Sequence, residues 1–304
     1  MPLNIIPASE PIDVQQITAV IYGQPGLGKT STGFTSSRPL LLDFDNGAHR
    51  SAFRQDTQPV AAWRDVADIA EWPLDPFDTL VIDTAGRALD LLAADIMRED
   101  PKLQSGGALN QRGYGSLKAR FAGWLKTVHT RGLDVVLLAH DKEDRRNDDV
   151  IVRPDITGGS YHEIFKLADL VGYLCQRAQC TLLVCNPTDT SVGKDPAGFG
   201  TLEVPDYHQE PTWFADRIAD VKKRIGVLSA EGQRVVSEVS DLRELLDKVQ
   251  DAEGLNAFST MVMDGEYRPA SKAQVRAVLR ERVKELGCKY DKKAKAYVPD
   301  EAAA

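Results

Sequence analysis

The sequence predicts an α/β protein with a mostly parallel sheet and a phosphate-binding loop at the end of its first strand. Apolar runs of strand length recur at 18–22 (TAVIY), 39–43 (PLLLD), 79–83 (TLVID) and 134–139 (DVVLLA). They are nearly continuous rather than alternating, as in strands covered on both faces. Amphipathic helical stretches lie between them, so strand and helix alternate along the chain. The first run leads straight into Gly23-Gln24-Pro25-Gly26-Leu27-Gly28-Lys29-Thr30-Ser31, a glycine-rich turn ending in a lysine and two hydroxyls.

Taken in order, the elements follow from periodicity. In 113–131 the residues Tyr114, Leu117, Phe121, Trp124, Leu125 and Val128 recur at steps of three and four, the mark of a helix with one buried face. Shorter apolar runs near 169–174 and 180–185 predict two later strands. The α/β domain is placed at 1–228 and a small helical C-terminal region at 229–304. There Val235, Val239, Leu242, Leu246 and Val249 share one helical face, which packs within a helical domain, against the main domain, or in a short coiled coil. Ser271 to Gln274 has the form of a capping box and Gly287 that of a helix stop. Between them Val275, Val278, Leu279, Val283 and Leu286 form an apolar stripe.

Composition narrows the class. A chain of 304 residues holds one large core, or one core with a small satellite. No run approaches eighteen consecutive apolar residues, so no membrane span is expected. The start, MPLNIIPASEPIDVQQ, lacks a basic region followed by an apolar one, so no secretory signal is expected and the expected location is cytoplasmic. Cys175, Cys180, Cys185 and Cys288 form no CxxC pair and fit buried free thiols better than a metal set or a disulfide scaffold. The net charge of −8 is uneven. Residues 271–298 hold nine cationic and three anionic side chains, which leaves the rest of the chain at −14. Such asymmetry points to a partner for the basic end.

The loop from Gly23 satisfies GxxxxGK[ST]. Its glycines let backbone N–H groups wrap a phosphate at a helix start. Lys29 neutralises the outer phosphates of ATP and the Thr30 hydroxyl binds Mg²⁺. A second carboxylate is needed to hold the metal, and Asp83, at the end of the run 79–83, supplies it. The residue after it, Thr84, cannot serve as a base. Asp43 and Asp45, at the end of the run 39–43, either face the terminal phosphate or cap the next turn.

These features together resemble the RecA-like recombinase fold, a P-loop NTPase core, and within it the phage single-strand annealing ATPases of the Sak type. The resemblance covers about 15–228. In that family the strand after the phosphate loop ends in aspartate, any residue, glutamate. Here the pattern reads Asp43-Phe44-Asp45, so the resemblance puts Asp45, a shorter acid, at the water-activating position. It makes His140, after VVLLA, a sensor of the terminal phosphate. The loop beyond, with Lys142, Arg145 and Arg146, and the segment 101–113, with Arg112, then become DNA-facing. Lys194 in VGKDPAGFG is either the lysine that reaches a neighbouring subunit's nucleotide or a solvated surface residue. The resemblance further implies host-cell cytoplasm for a phage-encoded chain.

At the basic end, Lys289, Lys292, Lys293 and Lys295 interleave with Tyr290 and Tyr297, a pattern that grips single strands by charge and stacking, or a solvated terminus. The expected function is an ATP-dependent, single-stranded-DNA-binding recombination or annealing protein, an ATPase acting as a homo-oligomer, with a cognate single-strand-binding protein as a further partner. Two alternatives stand beside it: a small-molecule phosphotransferase with Arg145 and Arg146 in a lid, and a nucleotide switch that hardly hydrolyses ATP.

Overall fold

The computed structural model describes residues 13–146, 149–157, 160–291 and 294–300. The chain divides into two compact units, Val14–Ile225 and a C-terminal one from Gly226 onward. No helix among the described residues is long and apolar enough to cross a membrane.

The larger unit runs β1 (Thr18–Gly23), α1 (Lys29–Phe34), β2 (Pro39–Asp43), β3 (Thr57–Pro59), β4 (Thr79–Asp83), α2 (Ala85–Glu99), β5 (Gln104–Ser105), β6 (Ala108–Leu109), α3 (Gln111–Thr130), β7 (Asp134–Ala139), β8 (Asp141–Arg146), β9 (Asp149–Pro154), α4 (Ser160–Leu167), β10 (Leu170–Arg177), β11 (Cys180–Val184), β12 (Thr201–Glu203) and the first turns of α5 (Trp213–Asp247). Eight strands form one sheet in the order β12-β11-β10-β1-β7-β4-β2-β3. From β10 to β3 every pairing is parallel, and only β11 and β12 join antiparallel. The fold is therefore the α/β class with a mostly parallel sheet that the apolar runs predict.

The runs are continuous in apolar residues because successive side chains enter different layers. Val20, Tyr22, Leu80, Ile82, Val135 and Leu137 pack with α2 and α3 through Leu89, Leu92, Phe121, Trp124 and Val128. Ala19, Ile21, Leu41, Val81, Val136 and Leu138 pack with Phe34 of α1 and with Trp213, Phe214, Ile218 and Val221 of α5. In the first layer the Trp124 indole N–H also donates to the Val66 carbonyl at 2.8 Å, so its polar atom is satisfied inside the core.

Where α3 ends against the sheet, His129 Nε2 lies 2.9 Å from Thr18 Oγ1. Burial lowers the imidazole pKa, against the pull of Asp134 and Asp169. The native state thus binds this proton less readily than the unfolded chain. Its stability is full above about pH 6.5, the unperturbed histidine value, and is lost as pH falls through the window below it. In urea unfolding, His129→Gln should gain on the wild type as pH drops through that window; a pH-independent difference would overturn the expectation.

Two charged stretches depart from the sequence reading. In segment 141–150, expected as a polar loop, Asp141–Arg146 together with Asp149 and Val150 lie in an antiparallel ribbon of β8 and β9. Segment 101–113, expected as a glycine-rich loop, contains the short β5–β6 hairpin turning at Gly106 and Gly107, both at positive φ.

The C-terminal unit consists of the rest of α5, α6 (Ala252–Asp264), α7 (Pro269–Glu285) and an antiparallel ribbon of β13 (Cys288–Asp291) and β14 (Ala296–Pro299). Val239, Leu242 and Leu246 share one core with Leu255, Phe258, Val262, Val275, Leu279 and Val283. The apolar stripe of α5 is consumed inside a small helical domain. The capping reading at Ser271 is corrected: α7 starts at Pro269 after Arg268. Ser271 lies inside the helix and donates its hydroxyl to Glu238 at 2.7 Å. The Pro at the first helical position already fixes φ for the start.

Candidate nucleotide-binding site

The phosphate loop leaves β1 at Gly23, where any Cβ would sit 2.2 Å from the Leu174 carbonyl of the adjoining strand. Only glycine fits there. Gly26 and Gly28 take positive φ of 84° and 88°, a region costly for other residues. They turn the backbone into α1, whose first residue is Lys29. That side chain is 6% exposed. Its Nζ donates to the Gly23 and Gln24 carbonyls, both at 2.8 Å, which hold the ammonium within the loop. Burial lowers its pKa, while Asp83, Asp141 and Asp45 pull it back up. A buried cation in a backbone cradle at a helix start is complementary to phosphate.

One residue on, the Thr30 hydroxyl donates to Asp83 Oδ2 at 2.6 Å. Asp83 closes β4, two strands from β1 in the sheet, and is buried. Burial raises its pKa, the Thr30 bond opposes this, and Asp45 and Asp43 add to the rise. The hydroxyl and carboxylate form a hard oxygen pair that fits Mg²⁺, an ion that takes one or two protein oxygens beside substrate phosphates. Among the described residues no group of three or more His, Cys, Asp or Glu could hold a metal ion.

The two acids at the end of β2 separate cleanly. Asp43, in register with Asp83 on the parallel neighbour, accepts the Gly47 and Ala48 N–H groups at 2.9 Å each. It caps the following turn. Asp45 instead lines the cleft, with its Oδ2 accepting the Thr84 hydroxyl at 3.0 Å and lying 3.8 Å from His140 Nε2. The Asp45–Thr84–His140 cluster thus joins the carboxyl ends of β2, β4 and β7, on the same edge as the phosphate loop. The cleft they border measures about 810 Å³ and takes in Pro25 to Ser31, Asp83 and Thr84.

Among the cleft residues that escaped the sequence reading are Arg50 and Tyr207. Arg50, in a short helical turn after Asp45, lines it with an exposed guanidinium. Tyr207 leans over the loop, its hydroxyl donating to the Gly28 carbonyl at 3.3 Å and lying 3.4 Å from Thr32 Oγ1. A Cβ on Gly28 would meet that hydroxyl at 2.4 Å. No motif marks either residue, and Tyr207 is brought in from almost 180 positions away only by the return of the chain through β12.

Other candidates lie apart. Lys194 pairs by backbone with Val171, and its ammonium donates to the Lys166 and Ala168 carbonyls at the C-terminal end of α4, away from the phosphate loop. Lys142 pairs with Asp155 at 3.7 Å and Arg145 with Glu143 at 3.8 Å. Arg146 ends β8 opposite Asp149. Arg112 is exposed in the first turn of α3. In the C-terminal unit Lys289 pairs with Asp300 at 2.8 Å, Tyr290 is 53% exposed with its ring edge against Tyr297, and Lys295 is exposed in the ribbon turn. Lys292 and Lys293 lie outside the described residues. The cysteines are free, and burial pushes the Cys185 thiol up to about 12.

Among solved structures, one of the RadB recombinase is similar at 11% identity and a TM-score of 0.37, covering 55% of this chain and 79% of that one. No curated protein matches the chain. Residues 15–197 match the family described as an AAA domain. That match spans more than half of the chain and encloses every side chain of the Thr30–Asp83 and Asp45–His140 clusters, so the protein belongs to the AAA-domain family of P-loop ATPases.

Proposed function

We propose that this protein hydrolyses MgATP and uses the cycle to take up and release single-stranded DNA in recombination or annealing, as a homo-oligomer. The observation that carries the hydrolytic part is the position of Asp45, bordering the same cleft as Lys29 and the Thr30–Asp83 pair. The loop N–H groups and Lys29 hold the outer phosphates. Bound Mg²⁺, held by Thr30 and Asp83, supplies charge neutralisation at the phosphates. Asp45 accepts a proton from, or orients, the attacking water. Thr84 fixes the carboxylate by donating to its Oδ2, so the other oxygen is left to face water. His140 stands beside both and answers to the terminal phosphate.

Support for coupling to DNA comes from continuity of the chain. His140 is followed directly by β8, so a displacement of the sensor passes into the β8–β9 ribbon. That ribbon carries Lys142 and Arg145, which exchange their present carboxylate partners for phosphates on binding. Arg112 at the start of α3 is a second point of contact. ATP then favours the gripping state and hydrolysis favours release.

The test is ATP turnover with and without an oligothymidylate, alongside the mass of the complex. Turnover should rise with the oligonucleotide and should fall about a hundredfold in Asp45→Ala, a loss typical of removing a general base, with nucleotide affinity kept. Unchanged turnover in that variant would remove Asp45 from the mechanism. A wild type that binds ATP without turnover would favour the switch reading, which the short, hydrogen-bonded Asp45 makes specific.

A further inference from the structure

We propose that the groove between α6, α7 and the β13–β14 ribbon docks a short acidic segment of a partner protein bearing bulky apolar side chains. This groove, of about 730 Å³, lies wholly in the C-terminal unit. Its apolar floor is Phe258, Val262, Val275, Leu279 and Val283, with the hydroxyl-bearing Ser259 and Tyr297 also among the lining residues. Met263 and Tyr290, half exposed at 50% and 53%, stand on its walls. A volume of this size, within the range of about 300–1,000 Å³ usual for ligand clefts, accepts two large side chains.

Charge selects the occupant. Arg276, Arg280 and Lys284 recur every four residues on α7, so they form one exposed stripe along the groove, adjacent to the buried stripe of Val275, Leu279 and Val283. At 1.5 Å rise per residue the stripe is about 12 Å long, the span of about four residues of extended chain. Three cations elsewhere in the unit are paired with carboxylates: Arg268 with Glu238, Arg282 with Glu285 and Lys289 with Asp300. The three of the stripe make no ion pair among the described residues, and the Arg276 guanidinium instead lies 3.0 Å from Met263 Sδ. An apolar floor beside unneutralised cations is complementary to alternating acidic and apolar side chains.

A nucleic acid strand would meet the charges but not the floor. Stacking needs flat aromatic faces open to solvent. Tyr290 alone offers one, and Tyr297 already meets it edge-on, with centroids 5.3 Å apart. Phe258 is 5% exposed and the remaining floor is aliphatic. The groove therefore favours a peptide.

The test uses the full chain and fluorescence anisotropy with a labelled peptide, Asp-Glu-Asp-Phe-Asp-Leu-Glu-Phe, as the probe. A control carries serine in place of its apolar residues. The probe should bind at least about tenfold more tightly than the control, and Arg276→Glu with Arg280→Glu should weaken it at least about tenfold without lowering the unfolding midpoint. A probe whose acids are replaced by lysine should regain binding to that double variant. Equal binding of probe and control, indifference to the charge reversals, or displacement of the probe by oligothymidylate would each overturn the proposal, the last assigning the groove to nucleic acid.

Discussion

Lys29→Ala should retain the fold and lose ATP affinity by two to three orders of magnitude. The ammonium is buried in a loop of two left-handed glycines and donates to two carbonyls of that loop. A phosphate arriving there meets a cation already desolvated, so the attraction is little reduced by water. Truncating one partner of such a buried charge pair costs about 3–5 kcal/mol, and each 1.4 kcal/mol is about tenfold in affinity. The free protein, in contrast, loses an ammonium that burial already makes costly to keep charged and two hydrogen bonds to carbonyls at the end of β1. Its unfolding midpoint should move little. Calorimetric titration with MgATP checks the first expectation and urea unfolding the second. Affinity within tenfold of the wild type would mean that the loop's N–H groups alone bind the phosphates.

What the residues disclosed in advance was the part of the fold made of apolar runs, and the part of the site made of a motif. β1, β2, β4 and β7 could be read because both faces of the sheet are covered, so nearly every residue in them is apolar. The β8–β9 and β13–β14 ribbons could not. DKEDRR has no apolar face, and β8 is placed by its backbone pairing with β9 (DVIVRP), while the charged CKYD of β13 is placed by its pairing with β14 (AYVP). Spacing along one strand could not decide between Asp43 and Asp45. Only the turn at Gly47 and Ala48, which takes both oxygens of Asp43, leaves Asp45 to the cleft. The same limit hid Arg50 and Tyr207, whose roles depend on where loops return. It also hid the carbonyls that engage Lys194, which lie 26 and 28 positions earlier in the chain.

Asp83→Asn should produce opposite effects on stability and on activity. This carboxylate is 6% exposed, burial raises its pKa, and Asp45 and Asp43 close by oppose its charge. The Thr30 hydroxyl offsets part of that cost, and an asparagine oxygen accepts the same bond. Neutralising the side chain at constant shape therefore removes a desolvation and repulsion penalty while keeping the hydrogen bond. The unfolding midpoint of the variant should rise. The same change removes the anionic partner of Mg²⁺, whose charge stabilisation is worth several kcal/mol in phosphoryl transfer, so turnover should fall by about a thousandfold and the Mg²⁺ dependence of ATP binding should flatten. Thermal melts with and without MgATP separate the two effects, because ligand should stabilise the wild type more than the variant. A variant that melts lower than the wild type without ligand, or that keeps its Mg²⁺ dependence, would show that Asp83 is held for the fold rather than for the metal.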